Sequence, residues 1–394
     1  MRDAGRPKDV GQPKGGRNDA IDVLRGLSII LVVLFHIQLR IPFEASAIGA
    51  LLPREAFNLL FRSGYYAVVV FFVISGFLIT STALRRWGAL GVVPAGPFYL
   101  MRFARIGPCL VLLLLVLAVL HLAGADGFVI ETVPLGRALL AAATVHLNWL
   151  EAQTGYLPGA WDVLWSLSVE EAFYLCFPLL CLGARRPAIF VVAMLAFAVL
   201  GPFARVAFTA NEIWADKSWL SGADGIALGC LAAWTAHRRP PGPAAGRACL
   251  VAGLALALLV FVFRRQVFQL GLTDLGLNVT MLEIGIALML VGLRGRRWGL
   301  PGLRLTAPLR WFGRNSYEVY LTHMLVLTPL APLFAATGQA PDRAPLWFLG
   351  LLVLSGLAGA IVARLWSEPL NRAIRARFAG PEFSPTPRRP AAPA

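Results

Sequence analysis

The chain has 394 residues, of which 58% are hydrophobic and only 14% are charged, and its formal net charge is +15. Because a soluble domain averages about 25% charged residues, this composition excludes an ordinary soluble protein and predicts an integral membrane protein with several spans. The excess of basic residues is typical of the cytoplasmic loops of membrane proteins, so nucleic acid is not an expected partner.

Ten apolar segments have the length of membrane-spanning helices. They are residues 21–39, 64–83, 106–123, 162–183, 187–210, 219–236, 248–263, 275–293, 315–336 and 346–366. A further apolar segment, 135–148, is too short to cross a bilayer and predicts a re-entrant or interfacial helix. With these spans, 25 of the 36 Lys and Arg residues fall on the side of the N terminus and eight on the opposite side. The sequence therefore predicts an all-α polytopic membrane protein of about ten transmembrane helices with both termini cytoplasmic.

The chain is expected to contain one transmembrane domain, over residues 18–372, between two disordered tails. The N-terminal tail, 1–17, is rich in Gly, Lys and Arg, and the C-terminal tail, 373–394, is rich in Pro. No cleavable signal peptide is expected, because the first 20 residues are polar and no small-residue cleavage site follows the first apolar run.

The first span carries three ionisable residues, Asp22, Arg25 and His36. Arg25 and His36 are 11 residues apart, which places them within about 20° of one helix face and about 16 Å apart along it. Asp22 precedes Arg25 by one turn, about 60° away. Taken singly, Arg25 fits a basic cytoplasmic flank and His36 a histidine satisfied by a neighbouring helix. Together they predict a polar cavity, because charged groups are costly in hydrocarbon.

The second and third spans add a serine and two arginines. Within FFVISGFLIT, Ser75 and Gly76 predict a close approach of two helices, and Ser75 is a candidate for the cavity wall. Arg102 and Arg105 are three residues apart at the expected start of the third span and share one face. They fit either a clamp for phosphate or an ordinary basic flank.

The fourth span contains adjacent carboxylates, Glu170 and Glu171, in WSLSVEEAFY. Neighbouring helical residues point about 100° apart, so the two cannot both face one point. One is expected to face the cavity, and the other to pair with an arginine or a backbone donor.

The ninth span begins with GRNSYEVYLTH, in which Tyr317, Tyr320 and His323 are candidates for the cavity. Ser316, Tyr320 and His323 follow the i, i+4, i+7 spacing of one helix face, so a hydroxyl, a phenol and an imidazole share a stripe. A histidine buried in a helix core is the alternative reading of His323.

Together these segments resemble the acyltransferase-3 family of integral-membrane O-acyltransferases. The matching motifs are Arg25 with His36, FFVISGFLIT at 71–80, RFARIGP at 102–108, WSLSVEEAFY at 165–174 and GRNSYEVYLTH at 313–323, and the Ser367-Glu368-Pro369 segment is similar to a short closing element. The resemblance covers about residues 18–372. One departure is Ala172, which stands where many relatives have Gln.

The resemblance implies an enzyme that transfers an acyl group, usually acetyl, from acyl-coenzyme A to a hydroxyl of a carbohydrate or another exported product. His36, Glu170 and Glu171 are then the expected catalytic residues, with His36 as general base or nucleophile and Glu170 orienting it. Arg25, Arg102 and Arg105 would hold the coenzyme A phosphates. Acetyl-CoA is expected as a co-substrate and not as a bound cofactor.

The implied partners are the acyl-CoA donor, a carbohydrate or lipid-linked glycan acceptor and membrane lipids, in a bacterial inner membrane. The five cysteines have no metal-ligand spacing, so neither a metal site nor a disulfide framework is expected. A transporter or flippase for a glycan intermediate is the alternative function, with the intramembrane His, Arg and Glu residues forming its pathway.

Overall fold

A computed structural model of the chain describes residues 18–294, 304–336, 338 and 341–378. Most of these residues are helical and none of them forms a strand, which confirms the predicted all-α fold. The long helices are α1 (Asp19–Gln38), α4 (Gly64–Trp87), α5 (Ala95–Leu122), α9 (Trp165–Gly183), α10 (Pro187–Ala207), α12 (Trp219–Arg238), α13 (Pro243–Val262), α15 (Leu277–Leu293), α17 (Ser316–Ala336) and α18 (Ala344–Val362).

Shorter helices connect or extend the long ones. They are α2 (Ala47–Leu51), α3 (Arg54–Phe61), α6 (Leu135–Ala143), α7 (Leu147–Thr154), α8 (Gly159–Asp162), α11 (Glu212–Lys217), α14 (Arg264–Gln269), α16 (Ala307–Arg314) and α19 (Glu368–Phe378). The short helix predicted at 135–148 is thus two helices, α6 and α7, which break at Val145, where φ is +57°. Neither has the roughly 20 residues needed to cross a membrane.

Eight helical segments of the described chain are long and apolar enough to cross a membrane. They contain α1, α4, α5, α8 with α9, α10, α13, α17, and α18 continued into α19. The other two predicted spans, 219–236 and 275–293, are also helical, as α12 and α15, but α12 is less apolar and α15 has only 17 residues. The protein is therefore an integral membrane protein, while the count of ten spans and the cytoplasmic termini stay predictions.

Helix α4 lies at the centre of the bundle, because 72% of its most apolar 18-residue stretch is buried, the largest share among the eight segments. It packs on α12 backbone to backbone. A Cβ at Gly76 would lie 1.9 Å from the carbonyl oxygen of Ile226, and a Cβ at Gly229 would lie 2.0 Å from that of Val73. The close helix approach predicted at Ser75 and Gly76 is confirmed, and Gly76 is the residue that requires it.

Two helices extend beyond the predicted segments. Helix α5 begins at Ala95 instead of residue 106, so Arg102 and Arg105 lie two turns inside a helix and not at its entry. The reason is local, because Pro94 precedes the helix and Pro97 falls in its first turn, where proline is tolerated. At the other end, residues 373–378 are helical in α19, which contacts α5. The remainder of the predicted tails, 1–17 and 379–394, lies outside the described residues.

Candidate active site

One cavity of about 170 Å³ lies between α1, α4, α5, α9 and α17. We call it the arginine cavity, because three arginines line it. Seven of the eleven residues singled out from the sequence line it: Arg25, Ser75, Arg102, Arg105, Glu170, Tyr317 and Tyr320. Five helices from three separate parts of the chain therefore bring most of the predicted polar residues to one place.

Arg25 enters the cavity from α1 and is held by α17. Its Nε and one terminal nitrogen donate hydrogen bonds to the hydroxyl of Ser316, at 3.1 and 2.8 Å. Asp22, predicted for the same cavity, does not line it. Its carboxylate instead lies 3.4 Å from Nε of Arg314 on α16, and a Cβ at Gly313 would lie 1.8 Å from the Asp22 carbonyl oxygen. The 60° between Asp22 and Arg25 is enough to turn them toward different helices.

Arg102 and Arg105 both line the cavity, and each already has a carboxylate partner. Arg102 lies 3.5 Å from Glu171 and stacks 3.7 Å from the ring centroid of Tyr174. Arg105 makes a two-pronged contact with Glu318, at 2.5 and 3.4 Å. Nε of Arg102 is buried without a hydrogen-bond partner in the described residues, so this guanidinium keeps a donor for a ligand.

The two adjacent glutamates face different surroundings, as the angle of about 100° between neighbouring helical residues predicts. Glu170 lines the cavity, where Arg102 and Arg25 are the cations that act on it. Glu171 does not line the cavity and pairs with Arg102 from outside it. Glu170 is therefore the carboxylate that a ligand in the cavity would meet, whereas Glu171 contacts Arg102.

Hydroxyl groups complete the cavity wall. The hydroxyls of Ser75 and Tyr174 contact each other, and those of Ser166 and Tyr320 lie 2.7 Å apart. Tyr320 also donates to the carbonyl of Val163. Tyr317 donates to the carbonyl of Ile106, across from α5. Buried phenols are held by such bonds, so the two tyrosines fix the shape of this wall.

The two histidines predicted for the cavity lie beyond it and touch each other. The ring centroid of His323 is 6.0 Å from that of Tyr320, which lines the cavity, and 5.0 Å from that of His36. His36 is half-buried and His323 is fully buried. The arginine cavity reaches Tyr320 but is not lined by His36, so the prediction that one cavity contains both Arg25 and His36 is not confirmed.

The hydrogen bonds of this pair fix which nitrogens carry protons when both rings are neutral. Nδ1 of His323 lies 2.7 Å from the carbonyl oxygen of Tyr320, which can only accept, so Nδ1 is protonated. Nε2 of His323 then accepts from Nδ1 of His36, at 3.2 Å, and that same Nδ1 lies 2.9 Å from the Val32 carbonyl. The basic nitrogen of His36 is consequently Nε2.

Glu170 does not orient His36 as predicted, since no hydrogen bond joins the two among the described residues. The Val32 carbonyl and His323 do so instead. The i, i+3 spacing of Tyr320 and His323 carried the signal that both belong to the site, but no spacing within either helix predicted that the two histidines meet.

A second buried charge cluster escaped the sequence reasoning. Arg205 on α10 lies 2.8 Å from Asp224 on α12 and also donates to the carbonyls of Ser221 and Gly276. Glu283 on α15 is fully buried, and neither of its carboxylate oxygens has a hydrogen-bond partner in the described residues. The signal was present, because all three charges fall inside predicted spans.

A third cluster ties the short helices together. Lys217 at the end of α11 lies 3.0 Å from Glu151 on α7 and also contacts Asp162. Burial alone would lower the pKa of Lys217, but the two carboxylates outweigh it and the pKa is raised. Burial, followed by the neighbouring Asp162, raises the pKa of Glu151 well above its usual range. This cluster joins α7 and α11 to the start of the fourth span.

No group of three or more His, Cys, Asp or Glu side chains suited to a metal occurs in the part of the chain that the structure describes. The arrangement that is present is a polar cavity with three arginines and a glutamate, next to a pair of histidines in contact. Guanidinium groups of this kind can bind anions, and an imidazole can serve as a general base or nucleophile.

Comparison with known proteins identifies relatives of the same kind. The chain is 24% identical to the peptidoglycan O-acetyltransferase OatA of Listeria monocytogenes, over 86% of this chain and 54% of that protein. It is 30% identical to the "Putative membrane-bound transacylase BcsY" of Komagataeibacter xylinus, over 79% of this chain and 73% of that protein. A 168-residue match of 26% identity joins it to the "Putative O-acetyltransferase SACOL0978" of Staphylococcus aureus, over 41% of this chain and 24% of that protein.

The chain thus spans about half the length of OatA and about a quarter of that of the staphylococcal protein. No solved structure matches it. The model of the acyltransferase domain family Acyl_transf_3 matches residues 18–365, which contain every residue of the arginine cavity and both histidines. The chain therefore belongs to acyltransferase family 3.

Proposed function

We propose that this protein is a membrane O-acyltransferase that moves an acyl group, normally acetyl, from acyl-CoA to a hydroxyl of a cell-surface or exported carbohydrate in a bacterial inner membrane. One observation carries the proposal: the arginine cavity, the Tyr320 phenol and the His323–His36 pair form a continuous series of polar groups inside the bundle. O-Acetyltransferases among the relatives support the acetyl group and the carbohydrate class.

The size and charge of the arginine cavity suit part of the donor. Its volume of about 170 Å³ is smaller than the roughly 300–1,000 Å³ of pockets that enclose whole drug-sized ligands, so it would admit the acyl thioester arm and leave the nucleotide outside. Arg25, Arg102 and Arg105 would hold phosphate oxygens at its mouth. Because Arg102 and Arg105 are already paired, the donor would share them with Glu171 and Glu318.

The transfer needs two proton movements: the acceptor hydroxyl loses a proton, and the leaving thiolate gains one. In the direct route, Nε2 of His36 takes the proton of the acceptor hydroxyl, whose oxygen bonds to the acyl carbon as the carbon–sulfur bond breaks. The proton then passes to the leaving thiolate, which yields the ester and free CoA. In the covalent route, Nε2 first bonds to the acyl carbon as the carbon–sulfur bond breaks; the acceptor oxygen then displaces the imidazole from that carbon, and the hydroxyl proton passes to the thiolate. His323 would hold His36 in the required tautomer in both routes.

Purified protein in vesicles, given labelled acetyl-CoA and surface glycan from a strain that lacks the gene, tests this function. We expect mass spectrometry to find acetyl esters on the glycan, and His36→Ala to lower their formation by about 10²–10⁴-fold. His237→Ala, which changes an exposed histidine at the end of α12, is the matched control. Passage of unmodified glycan across the membrane without covalent transfer would overturn the proposal in favour of a flippase.

A further inference from the structure

A second cavity, of about 460 Å³, lies on the other side of the histidine pair. We call it the Arg40 cavity. The order of residues along two helices shows the arrangement. On α1, Arg25 lines the arginine cavity, His36 follows, and Arg40, just past the helix end, lines the second cavity.

Helix α17 repeats this order. Its first turns, with Tyr317 and Tyr320, line the arginine cavity; His323 follows; and Thr328 and Pro332 line the Arg40 cavity. Thr328 is five residues, about 7.5 Å, beyond His323 along the helix. The contact between His36 and His323 therefore separates two cavities that open toward opposite ends of the same helices.

The Arg40 cavity has mostly apolar walls, built from prolines, alanines and Phe334, and its polar side chains are those of Arg40 and Thr328. Arg40 is half-buried and donates to the carbonyl of His36 at 2.8 Å, but no carboxylate pairs with it among the described residues. The hydroxyl of Thr328 is buried and has no hydrogen-bond partner there. A cation and a hydroxyl left in this state are suited to a bound ligand.

The nearby acids do not neutralise Arg40. Glu44 and Asp342 are next in sequence to residues that line the cavity, but neither lines it. Glu44 contacts Arg62 and Gln38 instead, and Asp342 accepts a hydrogen bond from the backbone of Ala47. The charge of the cavity is therefore positive at the point nearest to His36.

We propose that the Arg40 cavity is the acceptor site and that Arg40 selects an acceptor carrying a negative group, a carboxylate or a phosphate, close to the hydroxyl that is acylated. Guanidinium binds both groups through charge-assisted hydrogen bonds. The inference rests on the proposed function and adds to it the charge of the substrate. The donor would enter from one cavity and the acceptor from the other, and they would meet at His36.

The test offers one glycan in three forms. Surface glycan from a strain that lacks the gene is used untreated, after carboxyl reduction with carbodiimide and borohydride, and after dephosphorylation with hydrofluoric acid. We expect one of the two treatments to lower acetyl transfer by the wild-type protein about tenfold or more, which also identifies the negative group. If neither treatment lowers transfer, the inference is overturned.

Variants then assign the effect to Arg40. Arg40→Gln is expected to lower transfer to the untreated glycan about tenfold or more and to make transfer insensitive to the treatment, whereas Arg40→Lys keeps part of the preference. Arg62→Gln, which removes an exposed arginine paired with Glu44, is the control and keeps the wild-type preference.

If Arg40 had only a structural role, through its bond to the His36 carbonyl, Arg40→Gln would lower transfer to all three glycans by the same factor and keep the wild-type preference. That result would overturn the inference. The proposed function fails separately. If the wild-type protein transfers no acetyl to any of the three glycans, the acyltransferase proposal is lost and this inference with it. Transfer that ignores charge removes only the acceptor assignment.

Discussion

The arginine cavity and the Arg205 cluster are two groups of charges inside the same membrane protein, and they differ in what surrounds them. Arg25, Arg102 and Glu170 line an open space of about 170 Å³. Arg205, Asp224 and Glu283 line neither cavity that the described residues form around the histidine pair, and they are buried where α10, α12 and α15 meet.

The packing around them explains the difference. A Cβ at Gly201 would lie 1.9 Å from the Asp224 carboxylate, and one at Gly225 would lie 3.0 Å from that of Glu283, so backbone closes around these carboxylates. Charge inside a span is thus not sufficient evidence of a ligand site, although it is always a candidate for one. A charged cluster is a candidate binding site when an open cavity lies beside it. Without a cavity, the cluster holds helices together.

The largest expected effect is on folding, at the closed cluster. Arg205→Leu leaves Asp224 and Glu283 buried without their cation, which costs about 3–5 kcal/mol of stability. We expect little monodisperse protein after purification in detergent and a much lower unfolding temperature. The triple variant Arg205→Leu, Asp224→Asn, Glu283→Gln should recover most of this loss, because no net charge is left in the cluster.

Arg102→Leu is the matched change in the arginine cavity. Its side chain is 26% exposed, against 6% for that of Arg205, so the expected stability loss is smaller, while transfer activity falls. If Arg102→Leu unfolded the protein as strongly as Arg205→Leu, the distinction between an open and a closed cluster would be wrong.

The next largest effect is expected at His323. His323→Leu removes the group that accepts from Nδ1 of His36 and should lower kcat about 10–100-fold, the usual range for groups that orient a reacting residue. His323→Gln offers an amide oxygen to the same nitrogen and should retain more activity. The measurement is kcat as a function of pH for both variants, with acetyl-CoA affinity as the control. Equal losses in Leu and Gln would indicate a packing role only.

The smallest effects are expected from changes to the two glutamates. They test whether Glu170, and not Glu171, faces the cavity. Glu170→Gln changes the cavity wall itself and should lower transfer about tenfold. Glu171→Gln weakens a mostly buried pair with Arg102 but leaves the cavity wall itself unchanged, so it should lower transfer only a few-fold. Initial rates at saturating acetyl-CoA distinguish the two. A larger loss from Glu171→Gln would mean that the two carboxylates are assigned in the wrong order.

The candidate site shows how much of its lining can be predicted from the spacing of side chains within one helix. On α17, the predicted stripe of Ser316, Tyr320 and His323 divides, because Ser316 and Tyr320 line the arginine cavity and His323 does not. The stripe on α1 was read correctly for Arg25 and wrongly for Asp22 and for the cavity beside His36. There, Asp22 meets Arg314 on α16, and His36 meets His323, and neither contact has a spacing in the sequence that announces it.

The sequence by itself determined the class of the protein, the positions of its apolar helices and the identity of most polar residues that line the arginine cavity. Those properties follow from composition, run length and helical spacing, which are local. Only the tertiary structure decided that Glu170 faces the cavity, that His323 holds His36, that Arg40 opens onto a second cavity and that Arg205 does not line the first. Each of these depends on which helix packs beside which, and close backbone contacts such as those at Gly26, Gly76 and Gly313 set that arrangement.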